Sequence, residues 1–346
     1  MSDRFLTSSS ALGWLTLALS AVSFVALYRM LSHDRSLDDP QYAKGKQVEA
    51  RLVQRGVRAA LSTHELILCA DLVFPEDLTV GFAEVAGLED VKAGLRDVVT
   101  LLNQSRGGAA RSRLRAAPKG VLLHGPPGNG KTMLAAALAK EMGSCCFLAV
   151  QAASLFQKYM GESEKMAKAV FSLARKLAPC VVFLDEIDLL MQQDGGLNAA
   201  NNKVLGTLLA DWDGLDAGGG SDGVVVVATS NNPKHLPASI HRRLPRQYFL
   251  GPPDEAQRAR ILQSILAGEG ASAELVATVA AATDRYCGSD LMELSKAAMS
   301  ERLRHGEAAP FEWAHFEAAM QCVRFAGSSA EEQVRSEVRA WHNSVE

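Results

Sequence analysis

The chain has 346 residues, 48% of them hydrophobic, and a formal charge of −3. That length suits one large domain, a smaller one and some appendages, with apolar residues enough for a sizeable core. The near balance of charge excludes bulk electrostatics as a basis for nucleic-acid binding, and no nucleic-acid partner is expected.

The cysteines (Cys69, Cys145, Cys146, Cys180, Cys287 and Cys322) show no CxxC spacing. Adjacent Cys145 and Cys146 cannot form an ordinary bridge, so the set reads as reduced thiols in a cytosol-facing protein. Cys180 lies in an apolar strand and reads as a small buried hydrophobe.

From Phe5 to Tyr28 no residue is charged. A helix over that stretch would be about 36 Å long, against a hydrocarbon core of about 30 Å. Trp14 and Tyr28 are amphipathic rings near its ends. The leading MSDR is not net basic and the apolar run is long, which favours a retained anchor over a cleaved signal peptide. Arg29, Arg35, Lys44, Lys46, Arg51, Arg55 and Arg58 follow the span and only Arg4 precedes it. The positive-inside rule therefore puts the bulk of the chain in the cytosol and residues 1–10 across the membrane.

Tyr42–Ser62 is expected to contain a helix, Leu66–Leu68 reads as a short strand, and Pro75 marks a break. From Gly120 onward strands and helices alternate. Val121–His124, Cys146–Val150, Val181–Leu184 and Val224–Thr229 read as strands. Thr132–Met142 and Ser163–Lys176 read as helices, the latter with Ser163 as N-cap. Apolar strands separated by helices indicate a parallel sheet covered on both faces. Beyond Pro252 only helices are expected: Glu255–Ala267, Ser272–Ala282, Ser289–His305 and Trp313–Val323.

Gly125, Pro126, Pro127, Gly128, Asn129, Gly130, Lys131 and Thr132 match G-x-x-x-x-G-K-[ST] in full. An apolar strand precedes the loop and a helix follows, the setting in which backbone N–H groups and a helix N-terminus converge on phosphate oxygens. Lys131 is placed to reach the β and γ phosphates, and the Thr132 hydroxyl to hold Mg²⁺. In Val181-Val-Phe-Leu-Asp185-Glu186 two carboxylates emerge at a strand's carboxyl end. Asp185 suits the Mg²⁺ shell, and Glu186 suits the attacking water. Asn231 ends the next strand, as a γ-phosphate or water contact or as a cap. Arg242, Arg243 and Arg246 follow. Arginine fingers acting across a subunit boundary and a solvated loop fit those three equally.

Together these motifs resemble the AAA ATPases of the classical clade. Phe82-Ala-Glu-Val-Ala-Gly-Leu-Glu resembles the family's opening segment, Trp212-Asp213-Gly214-Leu215 its intersubunit signalling turn, and Gly288-Ser289-Asp290 the start of its small-domain sensor helix. The resemblance implies an α/β AAA+ P-loop NTPase domain with a parallel sheet, plus a small all-helical domain, preceded by a transmembrane helix. It implies ATP and Mg²⁺ as ligands, a homo-hexamer around a pore, Val85, Ala86 and Gly87 at the adenine, and Met133, Gly288 and Ser289 near the nucleotide. Arg243 and a neighbouring arginine would act on the next subunit's ATP. Lys158, Tyr159, Met160 and Gly161 would form the substrate-gripping pore loop.

The single anchor before one ATPase module, with the Arg-Arg-Leu-Pro run, resembles the mitochondrial outer-membrane AAA translocases that extract mislocalised tail-anchored proteins, a group also found on peroxisomes. The implied layout is a tail over 1–10, a transmembrane helix over 11–28, a linker over 29–80, a large ATPase subdomain over 81–250, a small helical subdomain over 251–326 and a C-terminal helix over 327–346. Extraction of tail-anchored proteins by threading is the expected job. Microtubule severing or disassembly of a membrane-scission complex is the alternative. Met160, Asn201, Asn202 and His241 depart from the group's pattern.

Overall fold

A computed structural model describes residues 40–105, 118, 120–143, 145–151, 162–191, 198–216, 223–304 and 310–322. Residues up to Ala70 make one compact unit and those from Asp71 a second. Among the described residues no helix is long and apolar enough to cross a membrane. The 11–28 span, the 158–161 loop and the 327–346 helix lie outside the described residues.

In the first unit, α1 (Pro40–Gln54) and α2 (Thr63–Cys69) pack together. A Cβ on Gly45 would come 1.7 Å from the Leu66 carbonyl oxygen, so the contact is backbone to side-chain-free backbone. The helix α1 overlaps the expected 42–62 stretch but begins two residues before it, at Pro40, and Leu66–Leu68 is helical rather than a strand. Three apolar residues cannot tell the two apart; the cap decides. Ser62 Oγ accepts the Glu65 N–H at 3.4 Å, and Glu65 Oε2 accepts the Ser62 N–H at 2.7 Å. Such a cap is worth about 1 kcal/mol, and it turns Leu66, Ile67 and Leu68 into a buried helical face.

The second unit is built on a six-stranded sheet ordered β1-β3-β4-β5-β2-β6. Its strands are β1 (Leu72–Val73), β2 (Gly120–His124), β3 (Cys146–Gln151), β4 (Cys180–Asp185), β5 (Val224–Ser230) and β6 (Arg246–Phe249). All pairings are parallel except β1 with β3. Strands β2, β4 and β5 are buried almost end to end, as a sheet covered on both faces requires. Strand β6 was not expected: Arg-Gln-Tyr-Phe lacks an apolar run, and its residues are only half-buried. Strand β1 lies upstream of residue 81 and edges the sheet beside β3.

Helices α3 (Glu89–Ser105), α4 (Lys131–Glu141), α5 (Ser163–Lys176), α6 (Asn198–Asp213) and the short α7 (Ala238–His241) lie between the strands. In α4, Ala135, Ala137 and Ala139 are buried beside Leu134 and Leu138, within the core that also holds Val121, Leu123, Val225 and Val227. Truncating a fully buried leucine such as Leu134 to alanine costs about 2–5 kcal/mol. Ser163 is the first helical residue of α5; the N-cap is Glu162, which makes no side-chain cap bond. Cys180 is fully buried, as expected of a small hydrophobe.

After Leu250 comes a helical lid: α8 (Glu255–Ile265), α9 (Ala273–Ala282), α10 (Gly288–Arg304) and α11 (Trp313–Cys322). Asp254 caps α8 through a capping box with Gln257, and Ser272 caps α9. Leu262, Val279, Leu291, Leu294 and Phe316 form a second apolar core of the lid's own.

Candidate functional site

The parallel strands end together on one edge of the sheet, where ligands of open α/β sheets bind. Strand β2 lies inside the sheet between β5 and the edge strand β6, and the loop 125–130 leaves its carboxyl end. Gly128 has φ 78, and a Cβ there would lie 2.2 Å from Ser289 Oγ and 2.5 Å from Cys287 Sγ. Only glycine lets the loop pass under the lid this closely. The lid in turn donates Ser289 N–H to Gly128 O at 3.2 Å, and Asn129 Nδ2 donates to Leu250 O at 3.2 Å.

Lys131 is buried at the loop's end, and Nζ donates to Gly125 O and Pro126 O, both at 2.9 Å. Burial pulls its pKa from 10.5 down to about 8, against the opposing influence of Asp188, Asp185 and Glu186. Opposite it stand the acids of β4. Thr229 Oγ1 donates to Asp185 Oδ1 at 2.5 Å and accepts Glu186 N–H at 2.9 Å. Glu186 has φ 52, a left-handed conformation rare outside glycine, and the Thr229 bond holds it there. Asn231 Nδ2 donates to Glu186 Oε1 at 3.4 Å, and Asn231 N–H reaches Asp188 Oδ1 at 3.3 Å.

The resulting cleft has a volume of ≈ 230 Å³. It is lined by Pro127, Gly128 and Gly130 to Met133 from the loop and α4, and by Asp185, Glu186, Thr229 and Asn231 from the strand ends. Thr132 Oγ1 stands 3.4 Å from both Asp185 oxygens, long for a direct O–H···O bond. A hydroxyl beside a carboxylate is the hard oxygen donor set that Mg²⁺ takes, alongside substrate phosphates. The residues therefore fit a Mg²⁺–nucleoside triphosphate.

With that geometry in view, the comparisons decide the family. The family "ATPase family associated with various cellular activities (AAA)" matches residues 121–252. A Danio rerio protein named outer mitochondrial transmembrane helix translocase is 40% identical over 275 residues, covering 78% of this chain and 72% of the relative. The chain belongs to the AAA ATPase family. The Homo sapiens protein of the same name is 40% identical over 254 residues, covering 72% of this chain and 70% of that one. A Drosophila persimilis spastin is 36% identical, but the match spans 31% of its length. Among solved structures, the FIGL-1 AAA domain in complex with ADP is similar at TM-score 0.67 and 28% identity, covering 79% of this chain and 92% of that one. This AAA ATPase is an ATP hydrolase, and the family implies ATP and Mg²⁺ as its ligands. AAA ATPases typically hexamerise.

Several expected residues stand outside the cleft lining. Val85, Ala86 and Gly87 form a turn between Phe82 and α3, and Gly288 and Ser289 open the lid helix α10. None of the three arginines lines the cleft either. Arg242 is exposed after α7, and Arg246 begins β6. Arg243 is 15% exposed and turned back on its own chain: Nη1 donates to Ser239 O at 2.7 Å, and Nη2 pairs with Asp213. Trp212, buried against Phe171, anchors the turn that presents Asp213. His241, a departure from the group's pattern, braces the same region. Nε2–H donates to Pro233 O at 3.3 Å and Nδ1 accepts Gln247 Nε2–H at 3.2 Å, since a carbonyl can only accept.

Thr229 and Asp188 escaped the sequence reading. Thr229 is polar in a strand that is otherwise apolar to Ala228, and β4–β5 register pairs Ala228 with Leu184, one residue before Asp185. A polar residue ending an apolar run was the available signal; its alignment with the acid needs the register.

Proposed function

We propose that this AAA ATPase is a membrane-anchored dislocase that pulls tail-anchored proteins out of a bilayer by threading them through a homo-hexamer pore. Forty per cent identity to outer mitochondrial transmembrane helix translocases, over 72% of a relative's length, carries the reading. The uncharged Phe5–Tyr28 stretch supports an anchor, with the mitochondrial outer membrane as the location and the peroxisome as the other site in the group. A helix of about 20 apolar residues does not leave lipid spontaneously, so extraction requires coupled hydrolysis.

In this reading Lys131 exchanges the carbonyls of Gly125 and Pro126 for phosphate oxygens. Thr132 and Asp185 would hold Mg²⁺, whose charge would offset that of the phosphates. Glu186, steadied by Thr229 and Asn231, orients and polarises the attacking water. Arg242, Arg243 and Arg246 serve the neighbouring subunit, and Arg243 must leave Asp213 to do so. Lys158, Tyr159, Met160 and Gly161 grip an extended chain without reading its sequence, and several subunits grip at once.

The test is reconstitution of the full chain in liposomes with a tail-anchored protein. ATP-dependent release of that protein is expected, and Tyr159→Ala should abolish release while ATP turnover persists. Release that survives Tyr159→Ala would remove the pore-loop role. Absence of release by the wild type, with microtubules severed instead, would give the function to the alternative.

A further inference from the structure

The turn before α3 holds two consecutive left-handed residues, Gly87 at φ 69 and Leu88 at φ 59. Leucine rarely adopts that conformation, so something must over-determine it. Lys92 does. It is a buried lysine, 4% exposed, whose Nζ donates to Val85 O at 2.5 Å and to Glu89 Oε1 at 3.1 Å. Its backbone N–H donates to Leu88 O at 2.9 Å. Glu89 itself is 65% exposed, so the buried end of the interaction is the turn's carbonyl and not the carboxylate.

The turn also has a defined neighbourhood. Val85 packs in the core that contains Leu134 and Leu138 of α4, the helix that starts at Lys131. Lys140, on the same helix, donates to Thr79 O at 2.6 Å. On the other side, a Cβ on Gly87 would meet Gln257 Cγ at 2.8 Å, and the capping box with Asp254 fixes Gln257. The turn thus lies where core meets lid, the same seam at which Ser289 meets Gly128.

We infer that Lys92 is a positioning residue for the nucleobase end of the ATP site: it clamps the Val85 carbonyl and so sets the Ala86 and Gly87 peptides against Gln257. The inference rests on the proposed reading of Val85–Gly87 as the adenine border. A lysine that only stabilised the fold would act on all ligands alike. A lysine that sets the base-facing turn acts on ligands that carry a base.

The experiment compares ATP, GTP and inorganic tripolyphosphate as ligands of the full chain, wild type against Lys92→Met, with thermal unfolding in parallel. Lys92→Met should raise KM for ATP about tenfold at little change in kcat, narrow the ATP-over-GTP preference, and leave tripolyphosphate affinity within about twofold. Equal loss for ATP and tripolyphosphate would overturn the proposal in favour of a structural role, and so would unchanged KM and preference. Should Lys92→Met fail to fold, Lys92→Gln, one bond shorter and uncharged, weakens the same clamp and should show the same order of effects at smaller size. Gly87→Ala separates the two layers of the argument, because it strains the turn and crowds Gln257 while Lys92 stays. If Gly87→Ala alters base preference and the Lys92 variant does not, the turn borders the base and Lys92 does not position it. If neither alters it, the adenine-border reading falls with the proposal.

Discussion

The nucleotide cleft and the arginine turn belong to the same sheet but treat their charged groups in opposite ways. In the cleft, Asp185 and Glu186 are steadied from behind by one hydroxyl, that of Thr229, and still face the open space beside Lys131 and Thr132. In the arginine turn, Arg243 is engaged through Nη1 and Nη2 by Ser239 and Asp213 of its own chain, while Arg242, its sequence neighbour, is exposed. In the proposed reading one protomer therefore assembles the groups that would bind phosphate and activate water, but holds back one of its two adjacent arginines. The difference separates what a single chain completes from what a second chain would have to complete.

The sharpest way to break this contrast is Arg242→Ala. If the arginine serves a neighbour's ATP, hydrolysis should fall by about 10³-fold or more while ATP binding by each protomer persists. Mixing Arg242→Ala with Glu186→Gln should then restore turnover, because an interface with an intact cleft on one side and intact arginines on the other is rebuilt. No gain on mixing would put Arg242 outside the reaction.

Next in size is Thr229→Val, which keeps the shape and removes the hydroxyl that joins Asp185 to the Glu186 backbone. Hydrolysis should drop about 10- to 100-fold, with Mg²⁺ dependence shifted to higher concentration, since outer-shell partners of ligating groups contribute on that scale. Unchanged Mg²⁺ dependence would reduce Thr229 to a packing residue.

The cleft side of the contrast also carries a pH dependence. Lys131 is pulled down to about 8, whereas a free lysine titrates near 10.5. Between those values the unfolded chain binds more protons at this site than the folded one, so the Lys131 contribution to stability rises with pH through that window and is fully lost once pH has fallen through about 8. Phosphate favours the charged form. ATP affinity should accordingly weaken by about tenfold per pH unit above about 8, with proton uptake on binding. Calorimetry in buffers of different ionisation enthalpy measures the uptake; none at pH 8 would contradict the Lys131 assignment.

The smallest expected effect is at Asp213. Its carboxylate is largely exposed, and such pairs contribute about 0.2–1 kcal/mol. Asp213→Asn should therefore raise turnover about two- to fivefold by releasing Arg243, and a decrease would mean that Asp213 orients the arginine and does not hold it back.

How much of this was legible depended on how local the chemistry is. The phosphate loop and the Asp185-Glu186 pair could be read because a glycine turn between strand and helix, and acids at the end of an apolar strand, are short-range patterns. Thr229 could not be read without the β4–β5 register, nor the Arg243–Asp213 pair without the approach of segments that are distant in the chain. Leu66–Leu68 misled because the deciding information sat upstream, in Ser62 and Glu65. Strand β6 was missed because edge position, not apolar content, makes Arg246–Phe249 a strand. Helices α3 and α6 were not anticipated either, although the core that α3 joins through Val91, Leu95 and Val98 is apolar at helical spacing.

The most direct test of the central claim, that this cleft is the hydrolytic centre, is Glu186→Gln measured for ATP binding and ATP turnover on the same preparation. The account predicts ATP affinity close to that of the wild type and turnover lower by about 10²- to 10⁴-fold. Turnover near the wild-type rate would contradict it.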